Sequence, residues 1–373
     1  MYYQDNFSKS FHQETAFMGL LDEIEERADW KVCPTDTLHV SSAEECADTA
    51  RMMLPAELKE NILQDTNRHT GLFLEADGIC YPLGSTAIRT LENRARISGN
   101  ALQDLERDTL AEVLNHCLRV TRGNALLRIH EGKVRAVHGG DASDYAILPM
   151  PEIFETASMY LKENFNHVRF ESSSFSHSLV TVSWEVRDDS LLDTYRDLLL
   201  QYGYAAGSEI SAYIRVHSSD VAVSGANIFC TIREGTRELV LGSALKLEHT
   251  NGAVIEDFAR NMAQIFSRYQ ENVAGLEKLF QIAVEHPANA MAGLMKKAGI
   301  GKTLISQTVE QFKVSHGGER CNGYELYCGI CEVIFLAQCK GVSAKLLIDL
   351  EEMVSRCLTF RFQDFDVTSQ INL

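Results

Sequence analysis

From Ile210 to Val216, apolar and polar positions alternate. Ile210, Ala212, Ile214 and Val216 fall on one side of an extended chain, with Ser211, Tyr213 and Arg215 on the other. This period of two predicts a strand over 210–217, and runs at 168–171, 180–186, 226–233 and 239–249 extend it into a sheet. Few connections between these runs are long enough for parallel crossovers, so the sheet is expected to be mainly antiparallel. Upstream, two hairpins are expected, at 70–81 around Ala76, Asp77 and Gly78 and at 125–138 around Glu131 and Gly132. Helical spacing marks 14–27, 85–100, 104–120, 153–164 and 190–202, and 42–65 reads as a helix interrupted by Pro55. Beyond Val254 the helical period takes over, at 254–285, 288–297, 303–312, 323–339 and 344–359. The expected class is α+β: a mainly antiparallel central sheet, flanking helices and a helical C-terminal third. We divide it into an acidic helical extension (1–30), a mixed α/β region (31–165), a sheet region (166–250) and a helical region (251–373), with 31–373 forming one compact unit.

Composition narrows the function. The 373 residues are 45% hydrophobic with 6 prolines, enough to bury roughly 75% of the unfolded surface without a covalent staple. A formal charge of −17 argues against broad attraction to nucleic acid or anionic lipid, so any DNA contact must be local. That charge is uneven: residues 1–60 hold 13 acidic against 5 basic side chains, whereas 86–135 hold 9 basic against 6 acidic. The 10 cysteines are scattered, often within apolar runs, which fits a reducing compartment. The first 17 residues lack a signal-peptide pattern and no run could span a bilayer, so a cytoplasmic protein without membrane contact is expected.

Several motifs have plain structural readings. The segment 298–303 ends in Gly-Lys-Thr, but position 296 is lysine where a phosphate loop needs glycine; a glycine-rich helix end followed by an N-cap at Thr303 accounts for it. Cys321, Cys328, Cys331 and Cys339 include a Cys-x-x-Cys pair and are the candidate metal ligands. Cys328 and Cys331 also share a helix face with Phe335, and a buried face explains them. Ser218, Ser219 and Asp220 follow His217, but no nucleophile turn or oxyanion site accompanies them, and turn hydrogen bonds are expected instead. No motif calls for a cofactor, and no catalytic residue is assigned.

Two cationic groupings remain. Arg89, Arg94, Arg96, Arg119, Arg122, Arg128, Lys133 and Arg135 could position a phosphate backbone or pair with the acidic N-terminal segment. On the polar side of the sheet, Tyr213, Arg215, His217, Phe229, Arg233 and Lys246 would form a surface on which bases stack while cations hold phosphates. A solvated face, or one covered by a helix, fits the same residues.

The order of segments resembles a phage/plasmid-like protein family, defined by a domain of unknown function found on bacteriophages, plasmids and prophages. The matching residues are Tyr81-Pro-Leu83, Ile97-Ser-Gly-Asn100, the stretch from Leu127 to Val137 with Tyr145 downstream, Val216-His-Ser-Ser-Asp-Val221 with Ser224-Gly225, Leu245-Lys-Leu-Glu-His249, and Asn322-Gly-Tyr-Glu-Leu326. The resemblance covers most of 33–360 and brings no catalytic residues. It implies a mobile-element setting and an accessory role in DNA processing. The expectation is therefore a non-catalytic protein that binds or anneals single-stranded DNA through the sheet face, with Arg94, Arg96, Lys133 and Arg135 on the phosphates. The alternative is an acidic interaction protein that captures host or phage proteins through residues 1–30 and never touches DNA. Both readings leave room for a homo-oligomer.

Overall fold

Periodicity and turn chemistry place most elements where the sequence predicts them. The computed structural model describes residues 2–43, 51–141, 143–205, 209–235, 237–317, 320–369 and 371. The chain opens with β1 (Ser8–Phe11) and α1 (Glu14–Glu26), then β2 (Ala28–Pro34), β3 (His39–Ser42), α2 (Lys59–His69), β4 (Leu72–Ala76) and β5 (Ile79–Pro82). Next come α3 (Ser85–Arg94), α4 (Arg107–Val120), β6 (Asn124–His130), β7 (Lys133–Gly139), α5 (Met150–Asn164), β8 (Val168–Ser176), β9 (Val180–Val186) and α6 (Asp189–Gln201). They are followed by β10 (Ile210–Ser218), β11 (Ala226–Glu234), β12 (Arg237–Val240) and β13 (Leu245–Leu247). The C-terminal third is helical: α7 (Ile255–Met262), α8 (Ile265–Phe280), α9 (Pro287–Ala298), α10 (Lys302–His316), α11 (Gly323–Cys339) and α12 (Ala344–Cys357). The fold is α+β and its named strand pairs are antiparallel.

Both hairpin turns are left-handed, Asp77 and Gly78 at φ 50° and 78°, and Glu131 and Gly132 at 49° and 75°, with a glycine at the second position of each. Helix α11 starts at a reciprocal cap, in which the Glu325 amide donates to Asn322 Oδ1 and the Asn322 amide donates to Glu325 Oε2, both at 2.9 Å. The strand expected over 239–249 is split into β12 and β13, because Gly242 turns at φ 66°. Gly299, at φ 97°, ends α9, and α10 is capped by Gly301 instead of Thr303. Of the helix expected over 42–65, residues 44–50 lie outside the described residues and the far part is the start of α2.

Two hydrophobic cores organise these elements. The smaller gathers residues 33–137, with α3 and α4 packed around the sheets β2-β6-β7 and β3-β4-β5. The larger gathers the N-terminus and residues 148–371 around the sheet β1-β8-β9-β10-β11-β12, on which β13 pairs with β11. The first 30 residues are therefore integral and not an extension. Strand β1 pairs with β8, and α1 buries Phe17, Leu20, Leu21 and Ile24 in the larger core.

The N-terminus also ties the two cores together. The carboxylates of Asp5 and Asp65 take the Lys133 ammonium at 3.0 and 2.8 Å, Arg135 Nη1 donates to Asp5 at 2.7 Å, and all four side chains are at most 1% exposed. Each buried charge thus has a counter-ion, without which its burial would cost several kcal/mol. From β6, Arg128 lies over the Trp30 ring and donates to Asp220 at 2.9 Å while pairing with Glu25 of α1.

Candidate functional site: a polar cleft between the two cores

The sheet face proposed from the alternating pattern exists but is closed. Register places Arg215 opposite Ser183 and Phe229, and Tyr213 opposite Glu185 and Thr231, so the expected side chains do share a face. Helix α12 covers it. Ile348 packs on Phe229, Arg215 pairs with the buried Glu351 and with Glu238, and Lys246 pairs with Glu352 at 2.7 Å. Tyr213, His217 and Phe229 are at most 3% exposed, so no base can stack on them. Arg233 lies 3.8 Å over the Tyr213 ring, donates to its hydroxyl at 2.8 Å and faces Glu238 at 3.3 Å. The expectation of an open ring-and-cation surface is corrected, because its cations are neutralised by acids of β12 and α12. Burial, followed by Arg215 and two lysines, pushes His217 down to about 3.

The cationic stretch divides in two. Lys133 and Arg135, expected on phosphates, are sealed against Asp5 and Asp65, and Arg128 is taken by Glu25 and Asp220. Arg89, Arg94, Arg96, Arg119 and Arg122 make no ion pair within 4 Å among the described residues, and all but the half-buried Arg94 are exposed.

Arg94 and Arg96 line a cleft of about 450 Å³ between the two cores. One wall is the end of α3, two residues after which Arg96 takes the left-handed region, φ 60°. Cations at this terminus are favoured by the helix dipole. Arg94 donates through Nε to Thr35 and through Nη2 to the Arg122 carbonyl, both at 2.8 Å, which joins the ends of α3 and α4 into one basic rim. The opposite wall is the turn after β10, where Ser219 Oγ accepts from the Val221 and Val223 amides at 3.3 Å and donates to the Ser178 carbonyl at 2.7 Å. The expected turn role of Ser219 is thus observed. Between the walls, Gly139 and Gly140 let the loop fold back: a Cβ on Gly140 would meet the Asn124 backbone at 2.9 Å.

The floor is a stack of rings. Tyr145 lies between His138, with centroids 3.7 Å apart and planes within 12°, and His249, at 5.4 Å and 15°. His138 Nε2 meets the Asp220 carbonyl at 2.9 Å and must donate there, and burial pushes the ring down to about 4. His249 Nε2 bonds Ser218 Oγ at 3.0 Å, and burial lowers its pKa as well. Neutral imidazoles beside a fully buried serine hydroxyl form a structural hydrogen bond, since no substrate can reach Ser218. Asp144 and Glu248 are the exposed carboxylates of the lining.

Two other clusters of possible ligands have their own partners or geometry. Asp5, Asp65 and His69 offer atoms within 4.8 Å of one another, but the Lys133 ammonium already bridges the two carboxylates. Cys328 and Cys331 lie buried in α11 and Cys339 ends it, 11 residues and about 16 Å beyond Cys328, too far for one zinc ion. Burial raises Cys321 and Cys328 to about 12, opposite to what a thiolate ligand requires.

No protein-family model, curated protein or solved structure matches this chain. Among the described residues no helix is long and apolar enough to cross a membrane. Three cleft residues that no motif in the sequence marks, Asn93, Asp144 and Thr250, come from segments with no shared spacing. Tyr145, Ser224-Gly225 and Glu248-His249, from the stretches quoted for the resemblance, line this cleft.

Proposed function

We propose that this chain is a non-catalytic binding protein for phosphate-bearing single strands, engaged at the cleft between its two cores instead of on its sheet face. One observation carries the reading: in a chain of charge −17, where most arginines have carboxylate partners, Arg94 and Arg96 line a polar cleft and make no ion pair within 4 Å among the described residues, and the Arg122 carbonyl accepts from Arg94. Unpaired guanidiniums offer forked donors that match phosphate oxygens. Asp144 and Glu248 across the cleft accept from amino groups, which bases carry and phosphates lack. The buried ring stack holds the floor rigid and uncharged at neutral pH. Phage or plasmid DNA processing, the setting that the resemblance of the segment order implies, is one in which such strands occur.

The test is an anisotropy titration of a labelled single-stranded oligonucleotide, with a nucleoside monophosphate as competitor. Binding at micromolar protein is expected, with a log–log salt slope of roughly −2 for three phosphate contacts. If the monophosphate competes fully, the site takes single nucleotides and not strands. No binding at low salt, or binding indifferent to salt, removes the proposal.

A further inference from the structure

A second cavity, about 680 Å³, opens between α8 and the end of α12 with the segment that follows it. Its charges do not balance. Of its two carboxylates, Glu352 holds Lys246 at 2.7 Å and Glu271 faces Arg268 at 3.6 Å. Lys278, Arg356 and Arg361, all exposed, make no ion pair among the described residues, and Arg356 spends one N–H on the Ala298 carbonyl at 3.2 Å. Three cations without counter-ions therefore converge on one concavity of an acidic protein. Beside them Ile282, Leu358 and Phe360 stand half-buried, their inner sides packed on the larger core. Basic groups above an apolar wall are unlike the polar floor of the first cleft, and they call for a ligand with two chemically distinct ends.

We propose that this cavity binds a small amphipathic anion, its apolar body seated on Ile282, Leu358 and Phe360 and its phosphate or carboxylate held among Lys278, Arg356 and Arg361. The volume lies within the range of sites for drug-sized ligands. The proposal is independent of strand binding at the first cleft and survives its failure.

Calorimetric titration of the full chain with 1-naphthyl phosphate, inorganic phosphate and 1-naphthol tests both halves of the site. Naphthyl phosphate should bind at least roughly tenfold more tightly than either fragment. The double variant Lys278→Glu, Arg361→Glu alters only exposed side chains and should weaken naphthyl phosphate by at least roughly tenfold, while Arg96→Glu at the other cleft leaves it unchanged. Equal binding of naphthol would show that the cations take no part, and equal binding of inorganic phosphate would show the same of the apolar wall. Either result, or an unaffected double variant, overturns the assignment.

Discussion

The arginines of the sheet face and those of the cleft rim are alike in sequence and opposite in situation. Arg215 and Arg233 stand on strands whose acidic partners, Glu238 and Glu351, are supplied by β12 and α12; Arg96 at the cleft makes no ion pair within 4 Å among the described residues, and neither do Arg89 on α3, Arg119 on α4 and Arg122 past the end of α4. The two sets teach that a cation's availability is decided by what packs over it, not by the pattern it belongs to. A charge with a buried partner is part of the fold, and one without is open to a ligand.

The sealed side can be broken by acid. His130, His138 and His217 are buried, and burial pushes them down to about 2, 4 and 3 from an ordinary 6.5. The native state keeps them neutral while the unfolded chain protonates them near 6.5. Stability is therefore complete above that value and falls as pH drops toward 4, where His138 itself begins to protonate. At pH 5 each contributes a loss of roughly 2 kcal/mol, of the order of 6 kcal/mol together. Urea unfolding at pH 7.5 and 5 measures it, and equal midpoints would mean these rings reach solvent.

Next in size is Lys133→Met, which leaves Asp5 paired with Arg135 and the buried Asp65 with only the Tyr2 hydroxyl and the His69 ring as side-chain partners among the described residues. The expected loss is about 3–5 kcal/mol in denaturant unfolding at neutral pH. A loss below about 1 kcal/mol would place this network in water. At the rim the order reverses. Arg96→Glu should change stability by less than about 0.5 kcal/mol, because its guanidinium is exposed and makes no ion pair among the described residues. It should nevertheless weaken strand binding by roughly tenfold or more, and unchanged binding would divorce the rim from the ligand.

Much of the fold was legible. The alternation over 210–216 names the buried and polar sides correctly, and Asp77-Gly78 and Gly132 mark their turns because Gly, and to a lesser degree Asp, tolerate positive φ. Strand β1, Ser-Lys-Ser-Phe, was missed because three of its four positions are exposed at a sheet edge and carry no apolar alternation. The state of the sheet face could not be read locally: Glu351 lies far along the chain from Arg215, and helical period shows that α12 has an apolar side without showing where it docks. The cleft was hidden for the same reason, since its walls come from the ends of α3, β7, β10 and β13, joined only by tertiary packing.

The most direct measurement is a matched comparison of single charges: affinity of one labelled single-stranded oligonucleotide for Arg96→Ala and for Arg233→Ala, at the same salt. Arg96→Ala should weaken binding several-fold while Arg233→Ala, whose guanidinium is already held by Tyr213 and Glu238, leaves it unchanged. Equal losses, or a loss confined to Arg233→Ala, would contradict the assignment of binding to the cleft.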